Sequence, residues 1–180
     1  NDFENIFSEE DDDIIVQRVD LPEEFQTLTS DTLSPSARPA MNYLKARGIS
    51  REEILKWKIG YCVSGDYARR IIIPSFDTEG YVNYFIARAY DGAWLRYKNP
   101  QASRDIVFNE LYLDWDKDVI LVEGVFDAIV AGNAIPLLGS ILNSSTGLFA
   151  RLVQESPVVY LALDSDAANK ERKIIKKQLQ

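Results

Sequence analysis

Residues 120–129 read ILVEGVFDAI, and this stretch decides the predicted fold. The run Val119–Val122 is short and wholly apolar, which is typical of a buried β-strand. It ends at Glu123 and Gly124, and the pattern of Val125–Ala131 then predicts a helix. A short apolar strand that passes directly into a helix indicates a parallel β-sheet covered by helices.

The same alternation of strand and helix continues to the end of the chain. The predicted elements are a strand at Ile135–Leu138, a helix at Thr146–Gln154, a strand at Val158–Leu163 and a basic helix from Ala167 onward. This alternation predicts a Rossmann-like, mostly parallel sheet over residues 117–180. Because the last helix runs to Gln180, we expect this domain to be cut short at its C-terminal end.

Residues 36–116 have a different pattern, which predicts a small α+β unit. Pro39–Arg47 is predicted to be a helix ended by Gly48, and Ser50 with Glu53 forms a capping box that opens the next helix. The predicted antiparallel strands are Ile71–Ile73, Tyr81–Ala87 and Trp94–Tyr97. The chain as a whole is therefore predicted to be an α/β protein made of two units.

The charges divide the chain into three segments. Residues 1–35 carry a net charge of −10, residues 36–104 carry +6 and residues 105–180 carry −4, which together give −8. We predict that residues 1–35 form an acidic linker or arm, with a short strand at Ile14–Val19 and a loop at Leu21–Pro35. A basic middle next to an acidic end is the charge pattern expected of a protein that binds a polyanion near a cation site.

Composition excludes several classes of protein. The 180 residues contain one cysteine, Cys62, and no histidine. An internal disulfide and a zinc finger or ribbon within this chain are therefore excluded, and a reducing compartment such as the cytoplasm is expected. No apolar run approaches the roughly 18–20 residues that a membrane helix needs, so we predict no membrane association.

Four acidic side chains follow two of the predicted parallel strands. Glu123 ends the first strand, Asp127 lies one turn into the next helix, and Asp164 and Asp166 end the third strand. If those strands are neighbours, the carboxylates converge at one edge, where parallel sheets bind ligands. Such oxygen ligands suit Mg²⁺ or Mn²⁺ rather than zinc. Glu123 could be a ligand or a proton carrier, and any one of the aspartates could simply be a helix N-cap.

The order of these motifs resembles a known domain. ILVEGVFDAI, then LLGS at 137–140, then LALDSDAA at 161–168 is similar to the Toprim domain of bacterial-type DNA primases, with its EG-x-x-D, LG-[ST] and D-x-D motifs. The resemblance implies that Glu123, Asp164 and Asp166 are catalytic. It also implies that these three and Asp127 bind the metal.

The basic middle resembles the subdomain that precedes Toprim in the same primases. The matching stretches are YLKARGIS (43–50), KIGYC (58–62), RRIIIPSFDTEGYVNYFIARAY (69–90), RYKNP (96–100) and FNELYL (108–113). The resemblance implies that four residues hold template and nucleotide phosphates, namely Arg70, Arg88, Arg96 and Asn99. Lys98 and Arg69 are additional candidates, and exposed strand charges are an equally good interpretation of Arg69, Arg70 and Lys98.

Five aromatic residues in the same region allow two interpretations, namely Tyr84, Phe85, Tyr90, Trp94 and Tyr97. They could stack on nucleobases, but core packing is the better prediction for most of them.

The resemblance implies the catalytic core of a phage- or bacterial-type DNA primase. Its expected partners are a single-stranded DNA template, ribonucleoside triphosphates and a replicative helicase. The sequence departs from the family at Asn109 and Glu110, where a lysine is usual, which removes one expected phosphate contact. The alternatives are another Toprim enzyme, such as a metal-dependent nuclease or, less compatible with this length, a topoisomerase, and a non-catalytic primase remnant that binds DNA or a helicase.

Overall fold

Two β-sheets of opposite kind make up the protein. The structure is a computed structural model, and it describes residues 16–139, 142 and 144–164. The strands are β1 (Phe25–Thr27), β2 (Gly60–Cys62), β3 (Arg70–Phe76), β4 (Val82–Ala89), β5 (Val119–Val122), β6 (Ala134–Pro136) and β7 (Val159–Ala162). The α-helices are α1 (Arg38–Ala46), α2 (Arg51–Lys56), α3 (Val125–Ala131) and α4 (Gly147–Glu155), and there are short 3-10 turns at Pro35–Ala37 and Glu110–Tyr112. The predicted α/β fold class is confirmed.

The first four strands form an antiparallel sheet in the order β1-β2-β3-β4. Side chains alternate between its two faces because successive residues of a strand point in opposite directions. The Tyr61 face consists of Tyr61, Ile71, Ile73, Tyr84, Ile86 and Arg88. The Cys62 face consists of Cys62, Arg70, Ile72, Phe85 and Ala87. The apolar residues of the Tyr61 face share one core with α1, α2 and α3, whereas the Cys62 face packs against Val19, Leu21, Phe25 and Tyr67.

Local signals determine the helical pair ahead of β2. Helix α1 ends before Arg47, and Gly48 follows with a φ of 77°, a conformation that glycine adopts without strain. The predicted capping box is present, since Ser50 accepts from the Glu53 N–H and the Glu53 carboxylate accepts from the Ser50 N–H. Both helix predictions are confirmed.

Three predictions about the antiparallel unit are wrong. The described part of the predicted Ile14–Val19 strand is not a strand, and Val19 only donates a hydrogen bond to the Val82 carbonyl. The predicted loop at Leu21–Pro35 contains β1, which pairs with β2. The predicted strand at Trp94–Tyr97 is reduced to one bridge between Arg88 and Tyr97. This ladder stops because the Asn99 side chain, not a backbone carbonyl, accepts from the Ala87 N–H at 3.1 Å.

The second sheet is parallel, with the order β6-β5-β7. Its central strand, β5, pairs with β7 from Val119 opposite Val159 to Val122 opposite Ala162. The two strands that end in acidic residues are therefore neighbours, which is the condition on which the predicted site depended. Strand β6 is displaced from its predicted span because the chain turns at Leu138 and Gly139, whose φ angles are 54° and 73°.

The two sheets share a continuous core. Val122 and three residues of α3, Val125, Phe126 and Ile129, pack in the same cluster as the Tyr61 face. No helix in the described part of the chain is long and apolar enough to cross a membrane.

Candidate active site at the carboxyl edge of the parallel sheet

Glu123 follows β5 directly and is anchored through its backbone. Its carbonyl oxygen accepts a hydrogen bond from the Leu138 N–H at 3.2 Å, which fixes the turn after β6 to the end of β5. The side chain is half-buried, and its Oε1 atom is fully buried without a hydrogen-bond partner among the described residues. A buried, unpaired carboxylate oxygen is costly, which favours a role in binding a cation or a proton.

Asp127 lies in the first turn of α3, which begins directly after Glu123 and Gly124. Gly124 is the N-cap of α3, and the Oδ2 atom of Asp127 lies 3.0 Å from the point that a Cβ on Gly124 would occupy. A side chain at position 124 would be in tight contact with this carboxylate. The glycine of the EG-x-x-D motif therefore leaves room for the Asp127 side chain beside the start of α3.

Asp164 lies at the same edge as Glu123. It follows β7 by two residues, Glu123 follows β5 by one, and the register places the last residues of the two strands opposite each other. Its side chain is exposed. Asp166 lies outside the described residues. Within the described part of the chain, no three acidic, histidine or cysteine side chains are close enough to form a metal site, so the predicted metal set stays a prediction.

The donor set nevertheless fits a hard cation. Every polar side chain named at this edge is a carboxylate, and one of its oxygen atoms is buried and unpaired. Carboxylate oxygens are the ligands that Mg²⁺ and Mn²⁺ prefer.

The predicted phosphate-binding residues do not lie on one surface. In the β3–β4 register Arg70 is opposite Ala89 and Ile71 is opposite Arg88, so Arg70 and Arg88 point to opposite faces of the sheet. Arg70 is only 8% exposed, and its Nη1 donates to the Leu95 carbonyl at 3.0 Å. Its Nε is buried without a hydrogen-bond partner among the described residues. Arg70 therefore holds the loop after β4 from within the protein.

Lys98 and Asn99 also form internal contacts. The Lys98 ammonium donates to the Asp66 carbonyl at 2.8 Å and lies 5.3 Å from the centre of the Tyr67 ring. The Asn99 amide oxygen accepts from Ala87, as described above.

Arg69 and Arg96 remain on the surface. Arg69 pairs with Asp91 at 3.4 Å, and the side chain of Arg96 is exposed.

Arg88 is the predicted basic residue that reaches towards the parallel sheet. Its Nε donates to the Tyr43 hydroxyl at 2.8 Å, and its guanidinium carbon lies 4.7 Å from the centre of the Tyr97 ring. Tyr43 in turn packs edge-on against Phe126, with ring centres 6.2 Å apart. Since Phe126 is the second residue of α3, these contacts join the end of β4 to the carboxyl edge.

Two residues beside Arg88 and Phe126, Tyr43 and Arg47, were not predicted from the sequence as site residues. Arg47 lies over both the Tyr43 ring, at 5.3 Å, and the Phe126 ring, at 5.0 Å. Arg47 and Tyr43 belong to the YLKARGIS stretch, so the resemblance covered them without assigning them a role. We call Tyr43, Arg47, Arg88, Tyr97 and Phe126 the guanidinium–aromatic surface.

The aromatic residues divide between the two predicted roles. Tyr84 and Phe85 are buried in the two cores, as predicted, and burial raises the pKa of Tyr84. Trp94 is 95% exposed and Tyr97 is 43% exposed, so the prediction of core packing does not hold for these two residues. Both lie in the segment that follows the Asp91-Gly92 turn.

Comparisons with known proteins agree with this fold. The chain has the fold of bacterial DNA primase catalytic cores. It superposes on the Aquifex aeolicus primase structure of the zinc-binding and RNA polymerase domains with a TM-score of 0.65 and 24% identity, over 79% of this chain and 47% of that one. It matches a DnaG primase catalytic domain bound to ssDNA with a TM-score of 0.67 and 18% identity, over 80% of this chain and 59% of that one. It matches the E. coli primase catalytic core with a TM-score of 0.62 and 20% identity, over 80% of this chain and 60% of that one.

These similarities establish the fold alone, because every sequence identity quoted is below 25%. The chain spans 47–60% of the length of these three primase chains. No protein-family model matches the sequence, and no curated protein matches it.

Proposed function

We propose that this chain is the catalytic core region of a DNA primase, which joins ribonucleotides on a single-stranded DNA template. The observation that carries the proposal is the buried, unpaired Oε1 of Glu123 at the end of β5, next to the strand that leads to Asp164. The fold shared with primase cores supports it, and so does the order of the Toprim-like motifs in the sequence.

The reaction would connect a ribose 3′-hydroxyl to the α-phosphorus of a ribonucleoside triphosphate. An oxygen–phosphorus bond forms, the α–β phosphoanhydride bond breaks, and pyrophosphate leaves. Glu123, Asp127, Asp164 and Asp166 would hold Mg²⁺ or Mn²⁺, which when bound supplies positive charge to neutralise the leaving group. Oε1 of Glu123 is buried and unpaired among the described residues, so Glu123 would serve either as a ligand of this ion or as the acceptor of the proton that the hydroxyl loses. The protein contributes mainly by positioning and by fixed charge.

The guanidinium–aromatic surface is our candidate for contact with the DNA template. Arg47 and Arg88 provide positive charge beside α3, and Tyr97 provides an exposed ring. Trp94, three residues before Tyr97, extends the surface with a second exposed ring. Cations that follow a backbone together with rings that stack on bases are the usual means of binding single strands. One of the matched primase structures was obtained with single-stranded DNA bound, which supports this choice of ligand.

The test uses the Asp164→Asn variant, which keeps the shape of the side chain and removes its charge. We expect the wild type to incorporate labelled ribonucleotides on single-stranded DNA with Mg²⁺ or Mn²⁺, and the variant to lose at least about 100-fold in rate. The matched control is Asp116→Asn, since Asp116 is an exposed acid before the amino end of β5. Thermal unfolding of both variants checks that they fold.

Two outcomes would contradict the proposal and identify an alternative. Metal-dependent DNA cleavage without nucleotides would make the chain a nuclease of the same fold. DNA binding that persists in chelator and in Asp164→Asn, with no synthesis by the wild type, would make it a non-catalytic binding module. A replicative helicase as partner and a location in the cytoplasm of a bacterial or phage-infected cell stay predictions from the sequence.

A further inference from the structure

Arg104 reaches the carboxyl edge of the parallel sheet from the long connection between the two sheets. Its Nη1 donates to the Leu138 carbonyl at 3.1 Å, and the same atom lies 3.8 Å from the position that a Cβ on Gly139 would occupy. The N–H of Leu138 in turn donates to the carbonyl of Glu123 at 3.2 Å. One residue, Leu138, therefore connects the Arg104 guanidinium to the end of β5.

The positive charge of Arg104 is not neutralised by the described residues. The hydrogen bond to Leu138 uses one nitrogen of an exposed side chain, and no described carboxylate forms an ion pair with Arg104. The adjacent acid, Asp105, forms no ion pair with Arg104 among the described contacts; its Oδ1 accepts from the Gly147 N–H at 2.8 Å, at the start of α4. No described residue forms a hydrogen bond with the remaining donors of the guanidinium.

An open cleft lies beside these donors. It is lined by Arg104, Asp105 and Thr146 together with apolar side chains that include Pro136, Leu137 and Leu148. Pro136 is the last residue of β6, so the cleft opens at the edge where Glu123 lies. Apolar walls strengthen an ion pair formed against them, because they exclude water.

We propose that Arg104 binds a phosphate group at this edge, either of a nucleoside triphosphate or of the nucleic-acid backbone. The planar guanidinium fork matches phosphate oxygens. A polyanion that approaches the carboxylates of Glu123, Asp127 and Asp164 also needs a cation to offset their repulsion. The location of this phosphate site rests on the proposed function, which places the reacting phosphates at the same edge.

The experiment compares Arg104→Gln with Arg104→Lys and with a control, Lys117→Gln. Lys117 is an exposed cation that precedes the amino end of β5, at the opposite edge of the sheet. Binding of inorganic tripolyphosphate is measured by calorimetry, and binding of a fluorescent oligothymidylate by anisotropy, both without synthesis. Thermal unfolding confirms that each variant folds.

We expect Arg104→Gln to lower the affinity for at least one of the two probes by about tenfold or more relative to Lys117→Gln. The Arg104→Lys variant keeps the charge and loses the planar fork, so its affinity should lie between those of the wild type and Arg104→Gln. A loss confined to tripolyphosphate assigns the phosphate to a triphosphate, and a loss confined to the oligonucleotide assigns it to the backbone. Unchanged affinity for both probes overturns the inference, and so does a wild type that binds neither.

This result is separate from the test of the proposed function. If the wild type makes no primers but Arg104→Gln still loses phosphate affinity, the phosphate site stands and the primase proposal fails. If primers are made and Arg104→Gln binds both probes as tightly as the control, the primase proposal stands and Arg104 has no phosphate-binding role.

Discussion

The two faces of the antiparallel sheet use their arginines in opposite ways. On the Cys62 face, Arg70 is enclosed and bonded to the Leu95 carbonyl. On the Tyr61 face, Arg88 lies between two tyrosines and reaches towards α3. The two residues are on paired strands and are separated by one step of the register. The difference teaches that a basic strand residue is available to a ligand only where its own side chain stays accessible, whatever the burial of the rest of its face.

The Cys62 face should be closed to reagents as well as to ligands. Burial, reinforced by Glu24, raises the pKa of the Cys62 thiol to about 11 from its usual 9.0. Since the thiolate is the reactive form, it should be about 100-fold scarcer than for an ordinary thiol at any pH below 9. We expect alkylation by iodoacetamide at pH 8 to be at least 100-fold slower in the folded protein than in urea. Equal rates would show that this face opens readily.

Removing Arg88, the accessible arginine of this pair, should weaken DNA binding. Arg88→Ala deletes a cation from the guanidinium–aromatic surface, and we expect affinity for single-stranded DNA to fall about tenfold. The plot of log affinity against log salt should become shallower by about one charge, on the order of 0.7 in slope. Anisotropy titrations at several salt concentrations measure both quantities. An unchanged slope would remove Arg88 from the interface.

Loss of an exposed ring should have a somewhat smaller effect. Trp94→Ala removes one stacking platform, which is worth about 1 kcal/mol at the lower end of measured base-stacking contributions, or about fivefold in affinity. Because the removed group is uncharged, the salt dependence should stay as in the wild type. The matched control is Trp94→Phe, which keeps an aromatic ring and should retain most of the affinity. If both variants bind as tightly as the wild type, Trp94 does not contact the DNA.

The smallest effect on binding is expected from the arginine of the closed face. Arg70→Met should change DNA affinity less than twofold and leave the salt slope unaltered. It should instead lower the free energy of unfolding by about 1–2 kcal/mol, because the hydrogen bond to Leu95 is lost from a buried site. Urea titration measures this stability. A loss of affinity as large as that of Arg88→Ala would mean that the Cys62 face also binds DNA.

Strong local signals were sufficient for much of the fold. The capping box at Ser50 and Glu53 and the apolar strand before Glu123 were placed correctly from sequence. The failures occurred where contacts distant in sequence decide the outcome. Strand β1 forms because β2 offers it a partner, and the predicted Trp94–Tyr97 strand is reduced to one bridge because the Ala87 N–H bonds to the Asn99 side chain on one side of it and the Tyr90 N–H bonds to the Arg69 carbonyl on the other.

In the candidate site, too, residues marked by local sequence patterns were predicted, and residues placed by distant contacts were not. Glu123 and Asp164 could be found in the sequence because each lies just after an apolar strand, and Asp127 because it completes the EG-x-x-D motif. Arg47 and Arg104 could not be found, since one reaches α3 across the Tyr43 ring and the other reaches the turn after β6 from a loop. The placement of Asp166 lies outside the described residues, so its membership of the site stays a prediction.

By itself, the sequence determined the order of the elements in the parallel sheet, the carboxylates at the ends of its strands and the resemblance to primases. Each of these depends on neighbouring residues, on periodicity or on the order of motifs, all of which can be read directly from the sequence. Only the tertiary structure decided that β5 and β7 are neighbours, that Arg70 is enclosed while Arg88 is not, and that Arg104 lies at the edge beside Glu123. Those outcomes depend on which distant segments pack together, and packing is settled by the free energy of the whole core rather than by any local pattern.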